Sequence, residues 1–376
     1  MVKGQVTGSI ENGGRNHMAE SKKKVEELNL MTGLACPIPI SDYPQVLLAH
    51  GGGGKLSQQI IQKMVVPQFK NELLEPLHDG AVFTINGTRL AFSTDSYVIN
   101  PIFFPGGDIG ELAVNGTVND LAMCGARPMY LSAAFIIEEG FAMDDLWKVI
   151  QSMQSAAVRA GVQLVTGDTK VVDRGKGDKI FINTSGVGIV DAGVQIGSQN
   201  ARVGDVIIIS GPIAVHGIAI MSVREGLEFE SQIKSDTAAL NHLVQSMLKT
   251  SKQVHVLRDP TRGGVASSLN EIAESSNVGM MIYEERIPIA EPVRGACEIL
   301  GLDPLYVANE GKLLAFVAPE DADAVLSAMR NDPLGKESAV VGEVVAGHKG
   351  TVVMKTSIGG SRVVDMLSGE QLPRIC

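Results

Sequence analysis

The apolar pattern of this chain runs through a mixture of strand-like and helix-like segments, breaks near Gly204, and starts again with the same mixture. Before the break, strand-like stretches fall at 81–85, 89–99, 129–138, 162–166 and 179–190, with helical spacing at 56–66, 110–124 and 143–160. After it, 205–210, 280–283, 313–318, 339–345, 351–355 and 362–366 read as extended. Helical spacing covers 216–225, 236–249, 263–275, 291–300 and 321–330. Neither half alternates strand and helix strictly, which argues against one doubly wound sheet and predicts two α+β domains. At 376 residues the chain exceeds what one compact core accommodates. The expected division is an extension at 1–45, a first domain at 46–195, a second at 196–366 and a tail at 367–376.

Residues 1–17 are polar and Gly-rich without periodicity, and the His17–Met18 junction reads as an added leader joined to a native start at Met18. A short charged helix at 20–30 would be broken by Pro37 and Pro39. A net charge of −10 argues against a nucleic-acid surface, while Mg²⁺ can bridge carboxylates to phosphate. Cys36, Cys124, Cys297 and Cys376 lie far apart with no CxxC pair, so neither a zinc site nor a redox pair is signalled. Cys124 and Cys297 fall within helical patterns and read as small core residues. No signal peptide or membrane-length apolar run is visible, and a reducing cytoplasm is the expected compartment.

Cys376 is the last residue, after Pro373-Arg374-Ile375. An extended segment from Met366 to this thiol spans about 33–36 Å, enough to let one sulfur visit two sites in turn. A frayed end that happens to finish in Cys is the plainer alternative. Elsewhere, Gly51-Gly52-Gly53-Gly54-Lys55 suits backbone N–H contacts to phosphate, or simply a flexible turn, and it lacks the GK[ST] of a P-loop. Asp79, Asp95, Asp120, Asp168 and Asp259 sit beside Gly, Thr or Asn, several of them after apolar runs. Singly, each fits a helix cap or Asx turn; together they suit a shared metal–phosphate role. Lys170 and Glu310 are candidates for proton transfer if partly buried, or members of structural ion pairs.

The blocks STDSYVINPIFFPGGDIG (93–110), NGTVNDLAMCGARP (115–128), TGDTKVV (166–172), RDPTRGG (258–264), ANEGK (308–312) and the terminal PRIC together resemble the HypE family of hydrogenase maturation factors. That family lies within the aminoimidazole ribonucleotide synthetase and selenophosphate synthetase superfamily, and the resemblance covers 46–376. It implies a homodimer formed through strands of the first domain, a second domain packed beside it, ATP in a cleft near the dimer interface, and a mobile tail. It implies that HypF supplies a carbamoyl group to Cys376, that ATP drives dehydration of the thiocarboxamide to a thiocyanate, and that the cyano group passes to iron held by HypC–HypD. Carried over by position, Asp79, Asp120 and Asp259 would hold Mg²⁺. Lys55, Asp95 and the Gly167-Asp168-Thr169 turn would contact ATP. Lys170 and Glu310 would flank Cys376, with Glu310 as base and Lys170 assisting. Pro373 would stiffen the tail, and Arg374 would offset the terminal carboxylate beside the thiol. Val215-His216-Gly217 replaces the family's Asp-His-Gly, and Gly52 stands where Ser is common. A superfamily kinase or synthetase acting on a small free substrate is the alternative. A nonenzymatic scaffold would leave the carboxylates unexplained.

Overall fold

The computed structural model of the chain describes residues 43–227, 232–369, 372 and 374–376. Nearly all of the expected extension, Cys36 included, lies outside the described residues, as does Pro373. Two sheets organise the rest. The first contains β1 (Ala81–Ile85), β2 (Thr88–Tyr97), β5 (Ala126–Glu138), β6 (Gln163–Val172) and β7 (Ile180–Val190), in the order β1-β2-β7-β5-β6. All its pairings are antiparallel except β5 with β6. The short β3 (Phe103–Phe104) and β4 (Gly107–Asp108) make a separate ribbon.

The second sheet has seven strands, β8 (Val206–Ile209), β9 (Val254–Arg258), β10 (Gly279–Tyr283), β11 (Leu314–Val317), β12 (Ala339–Val345), β13 (Val352–Lys355) and β14 (Ser361–Val364). Their order is β14-β13-β10-β12-β8-β11-β9. Among the described residues no helix is long and apolar enough to cross a membrane.

The helices in chain order are α1 (Lys55–Ile60), α2 (Val66–Phe69), α3 (Ile109–Met123), α4 (Met143–Ala160), α5 (Val215–Arg224), α6 (Asn241–Thr250), α7 (Gly264–Ser275), α8 (Glu291–Leu300) and α9 (Ala322–Arg330). Thirteen of the fifteen residues of α3 are buried, so this helix is enclosed on all sides rather than lying on a surface. It packs on β2, β5 and β7, with α4 and, from the second half of the chain, α6 also against it. Its two asparagines, Asn115 and Asn119, bond across that junction. Asn119 donates to the Ala238 and Glu310 carbonyls at 3.0 and 3.3 Å and accepts from Leu240 N–H at 2.8 Å. Thus α3 fixes one half of the molecule against the other and holds Asp120, one residue further on, at the junction.

The sequence places residues 167–169 in a turn after a short strand, and the structure corrects this. They lie inside β6, paired in register with Ala133–Phe135 of β5. The glycine permits that pairing, because a Cβ at Gly167 would sit 2.2 Å from the Ala133 carbonyl oxygen. Every residue of β6 but the last is exposed, since β6 is the outer strand of its sheet. Helical spacing from 236 also ran ahead of the fold, where α6 begins at Asn241. Cys124 and Cys297 are buried, as their helical setting suggested.

The start of α3 is held by the Asp108 side chain, which accepts from Gly110 N–H at 2.7 Å, Glu111 N–H at 3.2 Å and Ser152 Oγ at 2.5 Å. Loss of an N-cap acceptor costs about 1–2 kcal/mol. Asp108→Ala is therefore expected to lower the urea midpoint by that equivalent with the m-value unchanged, as measured by equilibrium denaturation.

Candidate active site

A cleft of about 610 Å³ opens where β2, α3 and the end of β9 meet. Asp79, Thr94, Asp95 and Asp120 line it from the first half of the chain, and Arg258, Asp259, Arg262 and Glu271 from the second. Asp79, Asp120 and Asp259 bring carboxylate oxygens within 4.8 Å of one another. Ser93 Oγ ties this group together, donating to Asp120 Oδ2 at 2.7 Å and positioned 2.8 Å from the Asp79 carbonyl. Arg258 pairs with Asp79 Oδ1 at 2.8 Å and with Glu271 at 2.6 Å.

Burial is the main influence on these acids. It pushes Asp79 up to about 6, against the pull of Arg258. Asp259 rises to about 8, through burial and then the neighbouring Asp79. Asp120 is driven well above the carboxylate range by burial and by Asp259, and Asp95 rises too. Asp79 Oδ2 is buried without a hydrogen-bond partner among the described residues. An all-oxygen donor set with an orphaned oxygen and mutually repelling carboxylates suits a hard divalent cation.

A second cavity of about 160 Å³ adjoins the first and holds the end of the chain. Ile375 and Cys376 are only 2% and 8% exposed. The terminal segment lies beside residues 98–100, the stretch that follows β2, and is held there by main-chain bonds. Val98 N–H donates to the terminal oxygen of Cys376 at 3.1 Å, and Asn100 N–H to the Arg374 carbonyl at 3.3 Å. Arg374 Nε donates back to the Val98 carbonyl at 3.0 Å, and its Nη1 pairs with Asp178. Arg224 donates to the Arg374 carbonyl, and His216 Nε2 lies 2.8 Å from the Ile375 carbonyl.

Arg262 lines both cavities, and its Nη1 donates to the Gly51 carbonyl at 3.1 Å. Cys376, Asp95 and Glu310 favour the charged form of this guanidinium, which keeps an exposed side. Burial pushes the Cys376 thiol far up, and Arg262 opposes that shift. Glu310 is 3% exposed, and its Oε1 has no partner among the described residues. Burial, then Asp259 and Asp95, raise its carboxyl well above the ordinary value.

The fold therefore gathers Asp79, Asp95, Asp120 and Asp259 in one cleft, with Glu310 and Cys376 in its electrostatic field. It does not bring Gly167, Asp168, Thr169 and Lys170 there within one chain. Lys170 Nζ pairs with Asp168 at 2.6 Å on the exposed edge of β6, far from any buried setting. Lys55 is exposed at the start of α1, outside the residues lining the cleft, while its N–H donates to the Leu367 carbonyl at 3.0 Å. Arg374 spends its guanidinium on Asp178 and Val98, so the cation acting on the thiol is Arg262. Sequence reasoning missed Arg258, Arg262 and His216 as site residues. The first two stand in the RDPTRGG block from which only the acid was taken. The third stands in a triplet noted only for its missing acid.

Residues 77–190 match the family described as AIR synthase related protein, N-terminal domain, and residues 202–355 match its C-terminal domain. A carbamoyl dehydratase HypE of Cupriavidus necator is 56% identical over 330 residues, covering 88% of this chain and 94% of that protein. A chain from the crystal structure of a HypE–HypF complex is 47% identical with a TM-score of 0.78, covering 82% of this chain and 99% of its own. HypE crystallised in complex with ATP is 49% identical with a TM-score of 0.75, covering 88% of this chain and 100% of its own.

In the metal-free protein, the raised carboxyls of Asp79 and Asp259 bind protons that the unfolded chain releases above its pKa of 3.8. More protons in the folded state means that their contribution to stability is complete below that value and is lost as pH rises through about 6 and about 8. Asp259→Asn mimics the neutral acid throughout. Calorimetry is expected to show the wild-type Tm falling relative to Asp259→Asn across this window. A constant difference would refute the raised carboxyl.

Proposed function

The chain belongs to the carbamoyl dehydratase HypE family of AIR synthase related proteins, and from that membership we propose that it dehydrates a carbamoyl group carried on its own Cys376. The product is a thiocyanate, which supplies cyanide ligands for the iron of a [NiFe]-hydrogenase. A primary amide resists dehydration because oxide is a poor leaving group. ATP phosphorylates the amide oxygen of the thiocarboxamide. That oxygen leaves as phosphate while both N–H protons are removed, so S–CO–NH₂ and ATP become S–C≡N, ADP and phosphate. The observation that carries this reading is the burial of Cys376 in a cavity that shares Arg262 with the acid-lined cleft.

Asp79, Asp120 and Asp259 are the residues that would hold Mg²⁺, and the orphaned Asp79 oxygen fits that role. When bound, Mg²⁺ neutralises charge on the transferring phosphoryl group. Asp95 faces the nucleotide, and Arg262 faces both the nucleotide and the loaded sulfur. Glu310 is the base for the amide protons. Its raised pKa makes its carboxylate a stronger base than an ordinary Glu, and dry surroundings favour the transfer. In the seated tail, burial keeps the sulfur a thiol rather than a thiolate. Nucleophilic capture of the carbamoyl group therefore belongs to a tail that has left its seat, where HypF meets it.

The homodimer is part of this proposal. β6 presents an unpaired edge carrying exposed Leu164, Val165 and Val171, the kind of edge that pairs with another strand. Pairing through this strand gives Gly167, Asp168, Thr169 and Lys170 a role at the partner's nucleotide that they lack in one chain. HypC–HypD is the proposed cyanide acceptor and the cytoplasm the proposed compartment.

The test is the mass of the C-terminal peptide after incubation with ATP and HypF as carbamoyl donor, since thiocarboxamide and thiocyanate differ by one water. Cys376→Ala is expected to retain ATP binding and form neither adduct. An undiminished thiocyanate yield from this variant would refute the carrier role. Glu310→Gln is expected to accept the carbamoyl group and then dehydrate it about 10²–10⁴-fold more slowly. A normal dehydration rate would assign the base elsewhere.

A further inference from the structure

The Val215-His216-Gly217 triplet opens α5 and has no part in the chemistry above. Its histidine is fully buried, with one ring nitrogen on the tail and the other on the protein. Nε2 lies 2.8 Å from the Ile375 carbonyl, the peptide group directly joined to Cys376. A carbonyl only accepts, so Nε2 carries the proton. Nδ1 then accepts from Ser235 Oγ, 2.7 Å away, and Phe104 meets the ring edge-on at 5.6 Å between centroids. Burial lowers the His216 pKa, which keeps the ring neutral with this single tautomer. The adjoining Gly217 lets α5 approach equally closely. A Cβ there would stand 2.4 Å from Val307 and 3.2 Å from the Leu372 side chain. Histidine and glycine thus serve one end, the fitting of the terminal segment against α5.

We propose that His216 is a positioning residue for the dehydration step, seating the loaded sulfur by donating Nε2–H to the Ile375 carbonyl. This rests on the dehydratase reading. The bond exists only when the tail is docked, so it acts after loading and spares both ATP binding and carbamoyl transfer from HypF. A histidine that merely filled the core would be indifferent to the tail.

The test uses the full-length chain with three readouts. These are the rate of Cys376 alkylation by iodoacetamide, read from the C-terminal peptide mass, the ATP affinity by calorimetry, and the single-turnover dehydration rate after loading by HypF. His216→Ala is expected to raise the alkylation rate and lower the dehydration rate by about tenfold each, with ATP affinity and loading unchanged. His216→Gln offers an N–H donor near the place of Nε2 and is expected to restore both rates to within about threefold. Equal rates in wild type and His216→Ala overturn the proposal, as does failure of the glutamine to rescue. Should alanine cost the fold, nitrogen-15 spectra of the His216 ring in the wild type and in a chain ending at Leu372 decide the matter. A changed Nε2 resonance supports the seat, and identical spectra overturn it. A wild-type chain that loads but never forms thiocyanate refutes the dehydratase reading instead, while the alkylation and nitrogen readouts still judge the contact.

Discussion

Four aspartates face two arginines in the cleft, and that unequal match governs everything around it: Asp259 is buried, Asp79, Asp95, Asp120 and Arg258 are half-buried, and Arg262 keeps an exposed side. Arg258 is committed on both sides, to Asp79 and to Glu271, which leaves Asp120 and Asp259 without a dedicated counter-charge. Arg262 stands between the cleft and the tail cavity and answers to Asp95, Glu310 and Cys376 together. Partly desolvated carboxylates this close cannot all ionise unaided. On the proposed reading, a divalent cation and the charged group it accompanies supply the missing positive charge. This is the electrostatic sense in which a nucleotide belongs there.

The terminal segment meets this cleft from the other side by the least specific means available, main-chain pairing. Its hydrogen bonds to Val98 and Asn100, just past the end of β2, require no particular side chains. Specificity comes from what surrounds the ladder. Asp178 and Arg224 engage Arg374, and His216 engages Ile375. A few main-chain bonds of modest net strength suit the proposed cycle, in which the segment both docks and departs.

Much of this was legible in sequence, for identifiable reasons. The residues alone offered five aspartates beside Gly, Thr or Asn, and it was the family resemblance that separated Asp79, Asp120 and Asp259, which the structure brings together, from Asp168, which it leaves on an edge strand. The restart near Gly204 separates strands that the structure assigns to two sheets. What stayed hidden was non-local. Nothing in TGDTKVV distinguishes a turn from an edge strand whose polar residues face outward, because alternation is uninformative where both faces are exposed. Arg262 reads like any solvated arginine until the chain end arrives beside it. His216 owes its meaning to a carbonyl 159 positions away.

The docked chain end has a kinetic corollary. Because the reacting group is tethered to the catalyst, its local concentration is set by the reach of the connecting segment rather than by how much protein is in solution. Dehydration by a loaded molecule then proceeds at a rate independent of protein concentration, and a free analogue of the cargo competes only when it exceeds that local concentration. On the proposed reading, with the sulfur loaded outside and converted inside, every turnover includes one exchange of its interior berth for an exterior one.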